Sequence, residues 1–145
     1  MDELILIEPD EWQVAANLLL AVVLGAIIGL ERQLRKHPAG LHTNALVSLG
    51  AAAYVLAGLL VQGDSSELRI AAQVVTGVGF ICAGLVWHQG ASVRGLNTAA
   101  TVWCSAAVGI MAGMGLTVAA AITAALVVAA NFVLHWIEHR YFGEP

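Results

Sequence analysis

Long uncharged stretches separate the charged residues of this chain, and they constrain what it can fold into. Four stretches contain no Asp, Glu, Lys or Arg, and they begin after Glu11, Lys36, Arg69 and Arg94. A membrane-spanning helix needs about 20 predominantly apolar residues, so the first three stretches each suit one span. The fourth is about twice as long, and Gly113-Met114-Gly115 divides it. Two glycines in three residues favour a turn, so this stretch predicts two spans.

The pattern predicts an all-α, polytopic membrane protein with five transmembrane helices. The predicted spans cover residues 12–30, 41–61, 70–87, 96–112 and 116–137. Only 11% of the residues are charged, against roughly 25% in a typical soluble domain. We therefore expect a single transmembrane domain over residues 1–145, with the lipid bilayer as its main partner and no role in binding nucleic acid.

Lys and Arg lie mostly on one side of the predicted spans. The residues in question are Arg32, Arg35, Lys36, Arg94 and Arg140. The positive-inside rule then predicts a cytoplasmic C-terminus and an acidic N-terminus outside. Acidic residues precede the first span where a signal peptide carries basic ones, so we do not interpret that span as a cleavable signal.

Two parts of the chain resemble each other. Residues 23–52 align without a gap on residues 78–107, and both contain the sequence G-L-x-T, at residues 40–43 and 95–98. This similarity predicts that spans one–two and three–four are a parallel repeat of one helical hairpin. Chance similarity among Ala, Val and Leu is the alternative.

Polar residues concentrate where these two G-L-x-T segments enter the membrane. The candidate functional residues at this face are Glu31, Arg32, Gly40, His42, Thr43, Asn44, Arg94, Gly95, Asn97 and Thr98. Two helix N-termini pointing there would favour an anion. Hydrogen bonding between helices is the simpler interpretation, with Thr43 and Thr98 as helix caps.

Small residues inside the spans predict close helix packing, because they let backbones approach one another in lipid. The candidates are Gly25, Gly29, Gly77, Gly79, Gly84, Cys104, Gly109 and Gly113. Packing within one chain is the favoured interpretation, and a homo-oligomer stays open as the alternative.

Histidines near the C-terminus offer the one candidate metal site. His135 and His139 share a helix face, and Glu138 adjoins them. Unliganded interfacial histidines are the more ordinary interpretation. The span interiors hold no ionisable residue of the kind that ion pumps usually place there. No nucleophile–base pair or phosphate loop is evident, so we expect no enzyme.

Several motifs resemble a known family. The sequence GAIIGLER at residues 25–32, PAGLHTNALV at residues 38–47 and the run from Arg69 to Gly115 are similar to the N-terminal membrane domain of the MgtC/SapB family. The resemblance covers most of the chain. It implies a multi-pass protein of the bacterial inner membrane, linked to magnesium homeostasis, adaptation to low Mg²⁺ and, in pathogens, virulence.

The resemblance also implies a mode of action. It favours a non-enzymatic regulator of other membrane proteins, such as the F-type ATP synthase. The alternative is a small transporter or channel for Mg²⁺ or another cation, with a site at the repeat interface. No cofactor is implied, and bound Mg²⁺ stays open.

The chain departs from the family pattern in two places. His42 stands where the family usually has Arg in A-G-L-R-T, so a titratable group replaces a fixed cation there. MgtC-like members also carry a soluble cytoplasmic domain after the last span, whereas this sequence stops at Pro145. We therefore expect a short SapB-like member or a trimmed chain.

Overall fold

The computed structural model describes residues 10–60, 66–90 and 92–142. Five α-helices make up most of these residues. They are α1 (Glu11–Leu34), α2 (Leu41–Leu60), α3 (Ser66–Gly84), α4 (Leu96–Gly113) and α5 (Thr117–Ile137). A single π-helical turn, Glu138–Phe142, continues α5. The all-α fold predicted from the charge pattern is confirmed.

Four of the described helices, α1, α2, α4 and α5, are long and apolar enough to cross a membrane. The chain is therefore a multi-pass membrane protein. The described apolar part of α3, Arg69–Gly84, is shorter. The predicted break after α4 is confirmed, because Gly115 adopts a φ of +74° between α4 and α5. The end of the second predicted span, at residue 61, lies outside the described residues.

The third predicted span ends too late. Instead of continuing a helix, Trp87 begins a short antiparallel hairpin of β1 (Trp87–Gln89) and β2 (Ser92–Arg94), in which it pairs with Arg94. Glycines with positive φ lie inside and after the hairpin, at Gly90 (+64°) and Gly95 (+89°). These conformations are open to glycine without steric cost, and they end the helical path that hydrophobicity alone predicts.

Helices α1, α2 and α4 pack closely because glycines face backbone. A Cβ added at Gly25 would lie 2.6 Å from the carbonyl oxygen of Asn44, and one at Gly113 would lie 2.7 Å from that of Ala52. Gly109 lies so close to the backbone of Ser48 that no side chain fits between α4 and α2. Such contacts drive helix association in lipid, where burial of apolar surface contributes little. They hold α1 and α4 against α2.

The glycines of α3 do not make such close contacts with a neighbouring helix. A Cβ at Gly77, Gly79 or Gly84 would meet no other heavy atom within 4 Å. They were predicted to pack helices together, and within the described part of the chain they do not. α3 lies at the edge of the bundle, where Gly77 lines an open groove of about 580 Å³ between α2 and α3, and Gly79 and Gly84 are exposed. Cys104 is half-buried on α4.

The helix contacts are of the kind that a duplicated hairpin would make. α1 packs on α2, α3 packs on α4, and α2 and α4 pack on each other between them. The parallel repeat stays a prediction.

Candidate functional site

Buried polar side chains gather where α1 ends and where α2 and α4 begin. They are Arg32, Asn44, Ser48, Thr98, Thr101 and Ser105. Burying such groups costs free energy unless they are hydrogen-bonded, and burying a charge costs more unless it is paired. The hydrogen-bond partners of each side chain therefore show which of these polar groups are fully bonded within the chain.

Asn44 is fully buried and completely bonded. Its Nδ2 donates to the carbonyl oxygens of Ala39 (3.0 Å) and Gly40 (2.9 Å), and its Oδ1 accepts from Oγ of Ser105 at 2.8 Å. The amide thus joins the loop before α2 to the middle of α4. The first N–H of α2, on Leu41, donates to Oε1 of Gln33 at 3.1 Å. A side chain from α1 therefore caps α2.

Arg32 is buried but incompletely bonded. Only 2% of its surface is exposed, and its Nη2 donates to Oγ1 of Thr98 at 3.0 Å. Its Nε is buried without a partner. The nearby carboxylate of Glu31 forms an ion pair with Arg35, at 2.5 Å between Oε1 and Nε, and both of its oxygens are buried. It attracts Arg32 only from beyond ion-pair distance.

Thr98 does not cap α4, so that prediction is wrong. The N-cap residue is Gly95, and no side chain bonds the first turn as a cap. Thr98 is 4% exposed and accepts from Arg32 instead. Its hydroxyl points into the bundle because Gly95 turns the chain with a left-handed φ, over the carbonyl of Leu85.

A second line of polar groups continues along α4. Ser105 donates to the carbonyl of Thr101 at 3.2 Å, and Thr101 donates to that of Asn97 at 2.9 Å. Oγ1 of Thr101 also lies 3.4 Å from the amide of Asn131 on α5. A groove of about 250 Å³ borders this contact, with Cys104 in its lining. The contact between Thr101 and Asn131 joins α4 to α5.

Other predicted site residues lie outside this buried cluster. His42, Arg94 and Asn97 are exposed. Thr43 and Gly40 are half-buried, and Gly40 lies beside Gln33. Glu31 forms its ion pair with Arg35, which is also outside the cluster.

Sequence reasoning missed Gln33 and Ser105. Ser105 was detectable, since Thr98, Thr101 and Ser105 follow a helical i, i+3, i+7 spacing and so share one face of α4. Gln33 carries no such signal, because its role depends on how α1 and α2 meet.

Among the histidines, His37 has a shifted pKa because of its charged and buried surroundings. The pKa of His37 lies below its usual value, first because burial disfavours the charged form and then because Arg32 repels a second cation. Glu31 opposes that shift, while His135 and Arg35 add to it. The described residues contain no group of three potential metal ligands. The side chain of His139 lies outside the described part, so the predicted trio with His135 and Glu138 is not tested.

Known proteins are similar to this chain over most of its length. The MgtC family profile matches residues 18–140. The MgtC protein of Brucella abortus (strain 2308) is 53% identical over 120 residues, which are 83% of this chain and 50% of that protein. The MgtC protein of Salmonella typhimurium (strain LT2) is 48% identical over 124 residues, covering 86% and 53%.

An uncharacterized protein of Synechocystis is 48% identical over 135 residues, covering 90% of this chain and 58% of its own length. No solved structure matches. The chain spans about half the length of the curated relatives that it matches. The match extends over α1 to α5 and the polar end between them. The chain belongs to the MgtC family.

Proposed function

We propose that this protein is a non-enzymatic membrane regulator in adaptation to low magnesium, acting by helix contacts with another membrane protein. The connection with magnesium comes from the family resemblance. The mode of action is supported by one observation, the open glycines of α3. Gly79 and Gly84 are exposed and leave space for a neighbouring backbone, which is what a partner helix needs for close contact in lipid.

The rest of the bundle supports the same mode of action. The glycines of α1 and α4 are already in contact inside the chain, at Gly25 and Gly109. The amide of Asn44 holds the core together and is not available to a substrate. The outer face of α3 also carries Ala72, Thr76 and Ala83, all exposed. A partner helix therefore fits best against α3.

The proposal includes a place and an orientation. The polar end carries Arg35, Lys36, Arg94 and Arg140, and the positive-inside rule assigns it to the cytoplasm of a bacterial inner membrane. This orientation favours a partner that lies in the same membrane and also has a cytoplasmic part. The F-type ATP synthase is the candidate that the family suggests.

Site-specific photo-crosslinking in membranes tests this proposal. We expect a crosslinker at Gly79 to capture a subunit of the ATP synthase, and Gly79→Leu to abolish co-purification of the enzyme. Ala121→Leu, at an exposed position on α5, is the matched control and should leave co-purification unchanged. Equal co-purification with Gly79→Leu and the parent protein would contradict a partner contact through α3.

A conduit for Mg²⁺ or another cation is the second candidate. The row of hydroxyls and amides from Asn44 through Ser105 and Thr101 to Asn131 favours it. The buried charge of Arg32 opposes it, since an unpaired cation repels Mg²⁺ at short range. Purified protein in liposomes should therefore show no Mg²⁺ flux above empty vesicles. A flux that Ser105→Ala removes would establish the conduit instead.

A further inference from the structure

We infer that the end of α1 and the start of α4 form a binding site for a phosphate-type oxyanion, with Arg32 as its cation. The oxyanion is either the headgroup of a phospholipid or free phosphate. The site does not depend on the proposed regulator function.

The first reason is the charge of Arg32. The side chain is 2% exposed, and no described carboxylate lies within ion-pair distance of it. Glu31, its neighbour in sequence, forms an ion pair with Arg35 and attracts Arg32 only from a longer distance, so two cations share one carboxylate. Buried charges in proteins are normally paired with an opposite charge. An anion from outside the described chain is therefore the missing partner.

The second reason is the start of α4. This 18-residue helix begins after Gly95 without a side-chain cap, and the first backbone bond made by its N–H groups is that of Ala99 to the carbonyl of Gly95, at 2.9 Å. Uncapped N–H groups and the positive end of the helix dipole together attract anions. The corresponding start of α2 differs, because Gln33 fills that role there.

The third reason is that the two features meet. Nη2 of Arg32 bonds Thr98, which lies in the first turn of α4. The guanidinium is thus held beside the positive end of α4, which repels it, while the negative end of α1, whose last turn carries Arg32, attracts it. The Nε of Arg32 is left without a partner. Arginine is well suited to phosphate because its planar fork bonds two oxygens at once.

Two binding measurements on purified protein in a neutral detergent distinguish the sources. Equilibrium dialysis with radiolabelled orthophosphate tests free phosphate. Native mass spectrometry with phosphatidylglycerol tests the headgroup, and diacylglycerol with the same acyl chains serves as the phosphate-free control lipid. We expect saturable binding in at least one measurement. Absence of saturable binding in both would overturn the inference.

Variants locate the site. Arg32→Lys keeps the positive charge but loses Nε and the planar fork, and we expect binding to weaken about tenfold. Arg32→Gln should weaken it further. Arg140→Gln removes an exposed arginine at the same end and should leave affinity unchanged. Equal weakening by Arg140→Gln and Arg32→Lys, or no weakening by Arg32→Lys, would overturn the assignment to Arg32.

Discussion

The two G-L-x-T segments share a sequence and lie at the same end of the bundle, yet they are used differently. At residues 40–43 the start of α2 is closed, because Gln33 caps it and Asn44 bonds the carbonyls of the preceding loop. At residues 95–98 the start of α4 is open, and its threonine bonds a buried arginine instead. Thus the same short motif has two roles: the first copy closes the start of its own helix, and the second copy bonds the buried cation of Arg32.

The largest effect should come from Asn44→Ala at the closed segment. The change removes the side-chain amide that bonds the carbonyls of Ala39 and Gly40 and the hydroxyl of Ser105. We expect a loss of about 3 kcal/mol in the free energy of unfolding, measured by reversible unfolding in mixed micelles. Asn97→Ala, at an exposed position in the open segment, should change it by less than about 0.5 kcal/mol. Comparable losses would show that the two segments are equally closed.

Thr98→Val and Thr43→Val compare the two threonines directly, since valine keeps the shape and removes the hydroxyl. Thr98 accepts a hydrogen bond from a buried cation, so its replacement should cost about 2 kcal/mol in the same measurement. Thr43 is half-buried, and its replacement should cost less than about 0.5 kcal/mol. A larger loss at Thr43 would reverse the assigned roles.

Gln33→Ala removes the cap on α2. Loss of a helix cap typically costs about 1 kcal/mol, and we expect that amount in the free energy of unfolding. Gln89→Ala removes an exposed glutamine from β1 and should have no measurable effect. An unchanged stability for Gln33→Ala would mean that the bond to Leu41 contributes nothing.

The smallest effect should be a pH dependence from His37, in the loop before the closed segment. Its folded pKa is lowered, so the unfolded chain, with a pKa of about 6.5, binds protons more readily. Stability should be constant well above that pH and fall as the pH drops through it. His37→Gln should reduce this fall in stability, measured as the free energy of unfolding at a series of pH values. A slope that survives His37→Gln would belong to another group.

Elements that depend on a stretch of nearby residues could be predicted from the sequence. Elements that depend on contacts with other parts of the fold could not. Uncharged stretches located the helices, and Gly113-Met114-Gly115 located the turn after α4. The hairpin from Trp87 to Arg94 was missed because three-residue strands are too short to show an alternating pattern. Hydrophobicity there resembled the end of a span.

The candidate site was predicted in its place but not in its bonding. Arg32, Asn44 and Thr98 were named from their positions at the membrane edge, and all three are buried there. That Arg32 reaches Thr98, and that Gln33 caps α2, depends on how α1, α2 and α4 are packed. Likewise, the glycines of α3 have the same composition signal as those of α1, but only tertiary structure decides which face a neighbour.

The bond between Arg32 and Thr98 joins residues that are 66 positions apart in the chain, and this separation has a consequence for biogenesis. When α1 and α2 leave the ribosome, the threonine that Arg32 will contact has not yet emerged from it. An arginine without a partner is costly inside a bilayer, so the end of α1 has to stay hydrated at the membrane surface. We therefore expect the first helical hairpin to reach its final depth in the membrane only after α4 has inserted and Thr98 can accept the hydrogen bond from Arg32.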